Sequence, residues 1–138
     1  MFLGEYATNV SGTSVRKNNV KLSGDKCNGV ILLPGEEFSY NNVVGKRTKE
    51  NGFGEAAAYL NGETVQEVGG GICQTSSTLY NAVLYANLKI TERTNHTFVS
   101  GYVPIGRDAT VSWGGLILNL KMTRLILLRS SLLMKIVV

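Results

Sequence analysis

With one histidine and two cysteines in 138 residues, any thiol chemistry here has few participants to choose from. Cys73 follows Gly69, Gly70 and Gly71 and opens a run in which Leu79, Ala82, Val83 and Ala86 recur at spacings of three and four. That pattern predicts a helix over about Cys73 to Asn87, with the thiol in its first turn. A helix N-terminus favours a thiolate through its unpaired N–H groups and its dipole. Amides beside the glycines could also receive an oxyanion. A cysteine nucleophile needs a base, and His96 is the sole histidine. Asp108 is then its orienter, with Asn95 a poorer choice. The order cysteine, histidine, aspartate is similar to that of transglutaminase-like and papain-like enzymes, an analogy of pattern that does not by itself establish a reaction.

The same residues have a plain packing reading. A cysteine at a helix start is often a small buried apolar group, and three glycines can serve tight helix–sheet packing. His96 can cap a strand end, while Ser76, Ser77 and Thr78 can satisfy first-turn N–H groups. A metal site through Cys73, His96 and Asp108 lacks a ligand-spacing signature, and no cofactor is called for. The candidate substrate contacts are Gly70, Gly71, Gln74, Ser77, Tyr102 and Arg107. Arg107 either meets a substrate carboxylate or pairs with Asp108 on the turn after Pro104 and Gly106. Tyr40, Tyr80, Tyr102 and Trp113 suit a saccharide or peptide groove, and equally an ordinary core.

These residues need elements to hold them. The length suits one domain with a real core, and 43% hydrophobic with 17% charged residues is a globular composition. The net charge of +4 is mild, and Arg16, Lys17, Lys46, Arg47, Lys49, Arg93 and Arg107 are scattered. They read as solvated surface, not as a nucleic-acid stripe. Cys27 and Cys73 fit neither a CxxC pair nor a metal knuckle, and a bridge between them would require export. Met1-Phe2-Leu3 runs straight into Gly4-Glu5 without the pattern of a signal peptide, and nothing approaches a membrane span of ~20 apolar residues.

Phe2 to Val10 reads as a strand, and Thr13 or Ser14 caps a helix to about Lys26 with Val15, Val20, Leu22 and Cys27 inward. Val30 to Leu33 is a short strand closed by Pro34-Gly35. Asn61-Gly62 makes a hairpin of the residues around Tyr59 to Val65. Lys89 to Asn95, Thr97 to Val103 and Ala109 to Trp113 read as further strands. The expectation is an α+β fold, two main helices on a mostly antiparallel sheet.

Four segments resemble the VanW family. They are Leu33-Pro34-Gly35-Glu36-Glu37-Phe38-Ser39-Tyr40-Asn41; Val44-Gly45-Lys46-Arg47-Thr48; Gly69-Gly70-Gly71-Ile72-Cys73-Gln74 with Ser77-Thr78-Leu79-Tyr80-Asn81-Ala82; and His96 with Tyr102-Val103-Pro104 and Gly106-Arg107-Asp108-Ala109-Thr110-Val111. The resemblance covers residues 2–115. It implies a secreted or membrane-anchored cell-envelope protein of a Gram-positive bacterium, associated with peptidoglycan and with vancomycin resistance, and brings no established reaction. It also implies an upstream anchor, and an apolar role for Cys27.

Residues 116–138 depart from the family pattern, which continues Pro-Asp-Phe-Lys-Phe-Lys-Asn after Trp113-Gly114-Gly115. Here the chain reads Leu116-Ile117-Leu118-Asn119-Leu120-Lys121-Met122. Back-translated with one added cytosine, that stretch yields the family's ending. A single-nucleotide deletion near codon 116 is the expected origin of the tail, which if out of frame would expose leucines and lower solubility; the competing readings are a genuine core strand pair and a short membrane-seeking helix.

Overall fold

The computed structural model describes residues 4–60, 62–123 and 132–133. Its first helix, α1 (Ser14–Cys27), starts at Thr13, whose side chain accepts from the Arg16 amide. Its inward face is unusually polar: Asn19, Val20, Ser23, Gly24 and Cys27 are buried. Val15, expected inside, is 39% exposed and lies over Gly54 instead. The buried polar groups are all paired. Asn19 donates to the Gly54 and Gly70 carbonyls and accepts from the Gly54 amide, while Ser23 bonds Thr75. A buried amide is tolerated only when satisfied in this way.

After α1 come β1 (Ile31–Leu32), β2 (Glu37–Ser39) and a five-residue helix α2 (Tyr40–Val44) capped by Ser39. Gly35 takes a positive φ of 87° in the Pro34-Gly35 turn. The hairpin joins β3 (Glu55–Leu60) to β4 (Glu63–Val68) with Gly62 at φ 81°; Asn61 itself lies outside the described residues. Then follow α3 (Ile72–Tyr85), β5 (Lys89–Glu92), β6 (Asn119–Lys121) and β7 (Leu132–Leu133). All pairing is antiparallel and divides into three ladders, β1–β7, β2–β6–β5 and β3–β4. The fold is α+β, with the two long helices α1 and α3 as expected.

The core runs from Phe38, Tyr40 and Val44 through Leu79 and Val83 to Leu118, Leu120 and Met122. Cys27 is completely buried in it, consistent with a packing thiol. β6 is the central strand of its ladder, so the alternation Leu118, Asn119, Leu120, Lys121 puts both leucines inward. The rest of the atypical tail, residues 124–131 and 134–138, lies outside the described residues, as do Phe2 and Leu3 of the expected first strand.

Three expected strands do not form. Residues 4–12 contain only one isolated bridge, and residues 97–103 and 109–113 are irregular. For residues 4–12 and 109–113 the reason is where their backbone groups go. Helix α3 is polar along its buried side, and its side chains satisfy these loops in place of a neighbouring strand. Gln74 donates to the Asn9 carbonyl, Ser76 and Ser77 to the Ala109 carbonyl, and Asn81 to the Arg107 carbonyl. The Ala109 amide donates back to Ser77. The hydroxyls expected to cap the first turn of α3 are therefore spent on the loop that passes over it.

Candidate functional site

The site begins with the turn that opens α3. Gly69 and Gly71 hold φ of 89° and 101°, a region that favours glycine. Gly70 is needed for space: a Cβ there would sit 2.3 Å from the Ala56 carbonyl oxygen. The close approach these glycines allow is thus made by β3 and, over Gly71, by the Arg16 side chain. Asn19 ties Gly70 to α1 from below. Cys73 is thereby fixed in the first turn, half-buried, with its sulfur 3.5 Å from the Val111 amide, 3.6 Å from the Val111 carbonyl and 3.7 Å from the Thr110 hydroxyl.

The loop after β5 brings the other two residues. His96 and Asp108 join through Nδ1 and Oδ2 at 2.5 Å, and the His96 amide donates to the same oxygen at 2.6 Å. Both side chains are only 8% exposed, so water screens the pair little. Asn95, the weaker alternative, turns away and donates to the His96 carbonyl. Asp108 is steadied in turn by Arg93, whose Nε donates to the Asp108 carbonyl at 2.8 Å and whose Nη2 stands 3.8 Å from Oδ1. Phe98 packs on the other side of the imidazole with its ring centre 4.8 Å away, and Tyr59 stacks on Phe98 at 4.1 Å.

The electrostatics run one way. Burial pushes the Cys73 thiol up, but hydrogen bonding and positive charge from His96, with help from Val111 and Thr110, outweigh it and hold the thiol below its ordinary value. Burial alone would lower His96; the thiolate and the Asp108 carboxylate together raise it. Asp108 is lowered, since the bonds from His96 overcome its own desolvation. This is the direction expected of a thiolate–imidazolium pair. Cys27 behaves oppositely: burial pushes its thiol up to about 12.

The sequence candidates divide into two groups. His96 pairs directly with Asp108 and influences the Cys73 thiol, whose own hydrogen-bond partners are Val111 and Thr110; Gln74, Ser77 and Tyr102 belong to the same region. Gln74 is 1% exposed and lines a cavity of about 400 Å³ with Asn9, Ser11, Arg16, Gly101 and Tyr102. Arg107 is elsewhere. It donates to Asn81, about two helical turns beyond Cys73, and stacks on Tyr6 and Tyr85. It does not pair with Asp108; Arg93 does. Tyr80 carries Arg93 over its ring, and Tyr40 and Trp113 flank Arg47 at 5.7 and 5.9 Å. Arg47 Nε and Nη1 are buried with no acceptor among the described residues, so these ring faces stand in for one.

The basic residues read as solvated surface therefore include several built into the structure. Arg16, Arg47 and Arg93 are half-buried and hydrogen-bonded to backbone or side-chain oxygens. Sequence alone does not reveal this, because their acceptors are distant in the chain. Among the described residues no helix is long and apolar enough to cross a membrane, and no cluster of His, Cys, Asp or Glu is arranged to hold a metal ion.

The chain is similar to known proteins over most of its length. Residues 15–132 match a family model described as VanW like protein. "Uncharacterized protein YoaR" of Bacillus subtilis (strain 168) is 49% identical over 114 residues, which cover 82% of this chain and 38% of the relative. "Vancomycin B-type resistance protein VanW" of Enterococcus faecalis (strain ATCC 700802 / V583) is 32% identical over 108 residues, 75% of this chain and 39% of the relative. The chain thus spans less than half the length of either curated relative. No solved structure matches it significantly.

Proposed function

The chain belongs to the VanW-like family, and on that footing we propose a cell-envelope protein whose Cys73 attacks an amide of peptidoglycan or its precursors. The observation that carries the chemistry is the His96–Asp108 pair, with the Cys73 thiol lowered and the imidazole raised by their mutual influence. The vancomycin-resistance name of one relative, together with the wall association implied by the sequence resemblance, supports peptidoglycan as the substrate.

With Asp108 accepting from Nδ1, the other ring nitrogen of His96 takes the Cys73 proton. The thiolate then forms a C–S bond to the amide carbonyl. The imidazolium returns its proton to the departing amine as the C–N bond breaks, leaving a thioester on Cys73. Attack by water gives hydrolysis; attack by a second amine gives acyl transfer. In both cases the acyl group leaves the sulfur, and His96 again accepts the incoming proton.

The test is the pH dependence of Cys73 alkylation in wild type and His96→Ala, each in a Cys27→Ala background. The expected result is fast reaction well below the reference thiol pKa of about 8.5, lost in His96→Ala. A Cys73 that reacts only after unfolding would make it a packing residue. The domain would then be a non-catalytic module that binds peptidoglycan or a partner.

A further inference from the structure

Beside the thiol lies a cavity whose lining carries one formal charge. Of Asn9, Ser11, Arg16, Gln74, Gly101 and Tyr102, only Arg16 is ionised at neutral pH. Its guanidinium is fixed rather than free: Nη1 donates to the Ser11 carbonyl at 2.9 Å and Nη2 to Gln74 Oε1 at 2.7 Å. Gln74 cannot yield, because its Nε2 is committed to Thr8 and the Asn9 carbonyl and the side chain is 1% exposed. A guanidinium has five donors, so about three remain beyond these two bonds.

The position of this fork follows from Gly71. A Cβ on Gly71 would stand 2.8 Å from Arg16 Cγ and 3.3 Å from Nε, so the side chain crosses directly over the turn that presents Cys73. Tyr102 lines the same cavity. Burial first, then the charge of Cys73, lifts its phenol above the usual range, so it remains a neutral hydrogen-bond donor. One held cation, neutral donors and no acidic group match a ligand with a single planar negative charge.

We propose that Arg16, held by Gln74 and Ser11, is the specificity residue of the thiol site and binds a carboxylate of the peptide that Cys73 acylates from. This rests on the thiol-nucleophile reading above and adds the class of substrate: a carboxylate-bearing peptide, not a neutral one. Arg107, the arginine that sequence alone offers for this role, lies too far along α3 to serve.

The test uses paired alkylating agents that differ only in charge: N-iodoacetylglycine and N-iodoacetyl-β-alanine, each beside its carboxamide. Rates at Cys73 are taken from peptide mass spectra for wild type, Arg16→Gln and Arg107→Gln, and normalised to free cysteine. At least one carboxylate reagent is expected to outpace its amide by about tenfold, the worth of one charge-assisted contact. Arg16→Gln should abolish that preference, read as the carboxylate-to-carboxamide rate ratio within each variant, and Arg107→Gln should keep it. Fast reaction of all reagents without preference, or a preference that survives Arg16→Gln, overturns the Arg16 assignment and leaves the activated thiol standing. Slow reaction of every reagent in the folded protein overturns both.

Discussion

Asp108 grips His96 at two points with one oxygen: Oδ2 accepts from both the ring Nδ1 and the backbone amide of the same residue. The double contact fixes ring position as well as tautomer, because the amide bond anchors the backbone while Nδ1 anchors the imidazole. The remaining nitrogen is the one left for Cys73. A carboxylate that bonded the ring alone would leave the loop free to carry it away from the thiol.

Asp108→Asn tests this arrangement. An amide can present its N–H to Nδ1 and so favour the wrong tautomer. Alkylation of Cys73 near pH 6.5 should fall at least about tenfold, the equivalent of losing a charged hydrogen bond of about 1.5–3 kcal/mol. Far-ultraviolet circular dichroism should stay unchanged.

Stability should depend on pH on two flanks. The contribution of Asp108 is present above its unfolded value of about 3.9 and is lost as pH falls through its lowered folded value. That of His96 is present below about 6.5 and is lost as pH rises through its raised folded value. Urea midpoints measured from pH 2 to 9 should fall at both ends for the wild type. Asp108→Asn should flatten the acid flank, and His96→Ala the alkaline one.

The two thiols should separate cleanly. A Cys27 thiol pushed up to about 12 and fully buried is not a nucleophile in the folded protein. Titration with an aromatic disulfide at pH 7 should therefore count one thiol in the native state and two in denaturant. Cys27→Ala should leave the native count at one and the rate unchanged.

Gly70→Ala places a methyl group against the Ala56 backbone at 2.3 Å, where no flexible side chain can give way. Overpacking of this kind costs about 1–3 kcal/mol, and the turn carrying Cys73 must shift. Thermal denaturation should show the loss, accompanied by slower alkylation at Cys73.

The tail yields a prediction at the level of DNA. Codons alternating TTT and AAA, read one base out of frame, become TTA and AAT, so an apolar–polar alternation survives the shift. On that reading Leu118 and Leu120, both fully buried, would stand at inward positions that Phe takes when one base is restored. Sequencing the encoding gene should find codons near 116 that permit this restoration. A gene whose codons do not permit it would make the tail native. A frame-restored chain, which carries Phe at positions 118 and 120, should show a higher thermal midpoint and better solubility than this one.

Much of the framework was legible in the sequence because its signals are local. Thr13 capping α1, Gly62 in the hairpin and the spacing of Leu79, Val83 and Ala86 each act within a few residues. The irregular course of residues 97–103 and 109–113 was not legible. Their composition suits strands, but Ser76 and Ser77 satisfy the Ala109 backbone groups from across the molecule, and Asn81 holds the Arg107 carbonyl between the two segments. The parts played by Arg16 and Arg93 were hidden for the same reason: their partners Gln74 and Asp108 lie far off in the chain. A sequence shows residue types readily. Which distant oxygen an arginine meets is decided only when the helices pack.

The ladder that pairs Ser39 with Asn119 ties the molecule's chronology to its reactivity. Contacts so distant close a large loop and form late. Cys73 leaves the ribosome before His96 and Asp108 exist to activate it. β6, made after all three, can dock between β2 and β5 only once residues 119–121 have emerged, so the lowered thiol belongs to the folded chain and not to the nascent one.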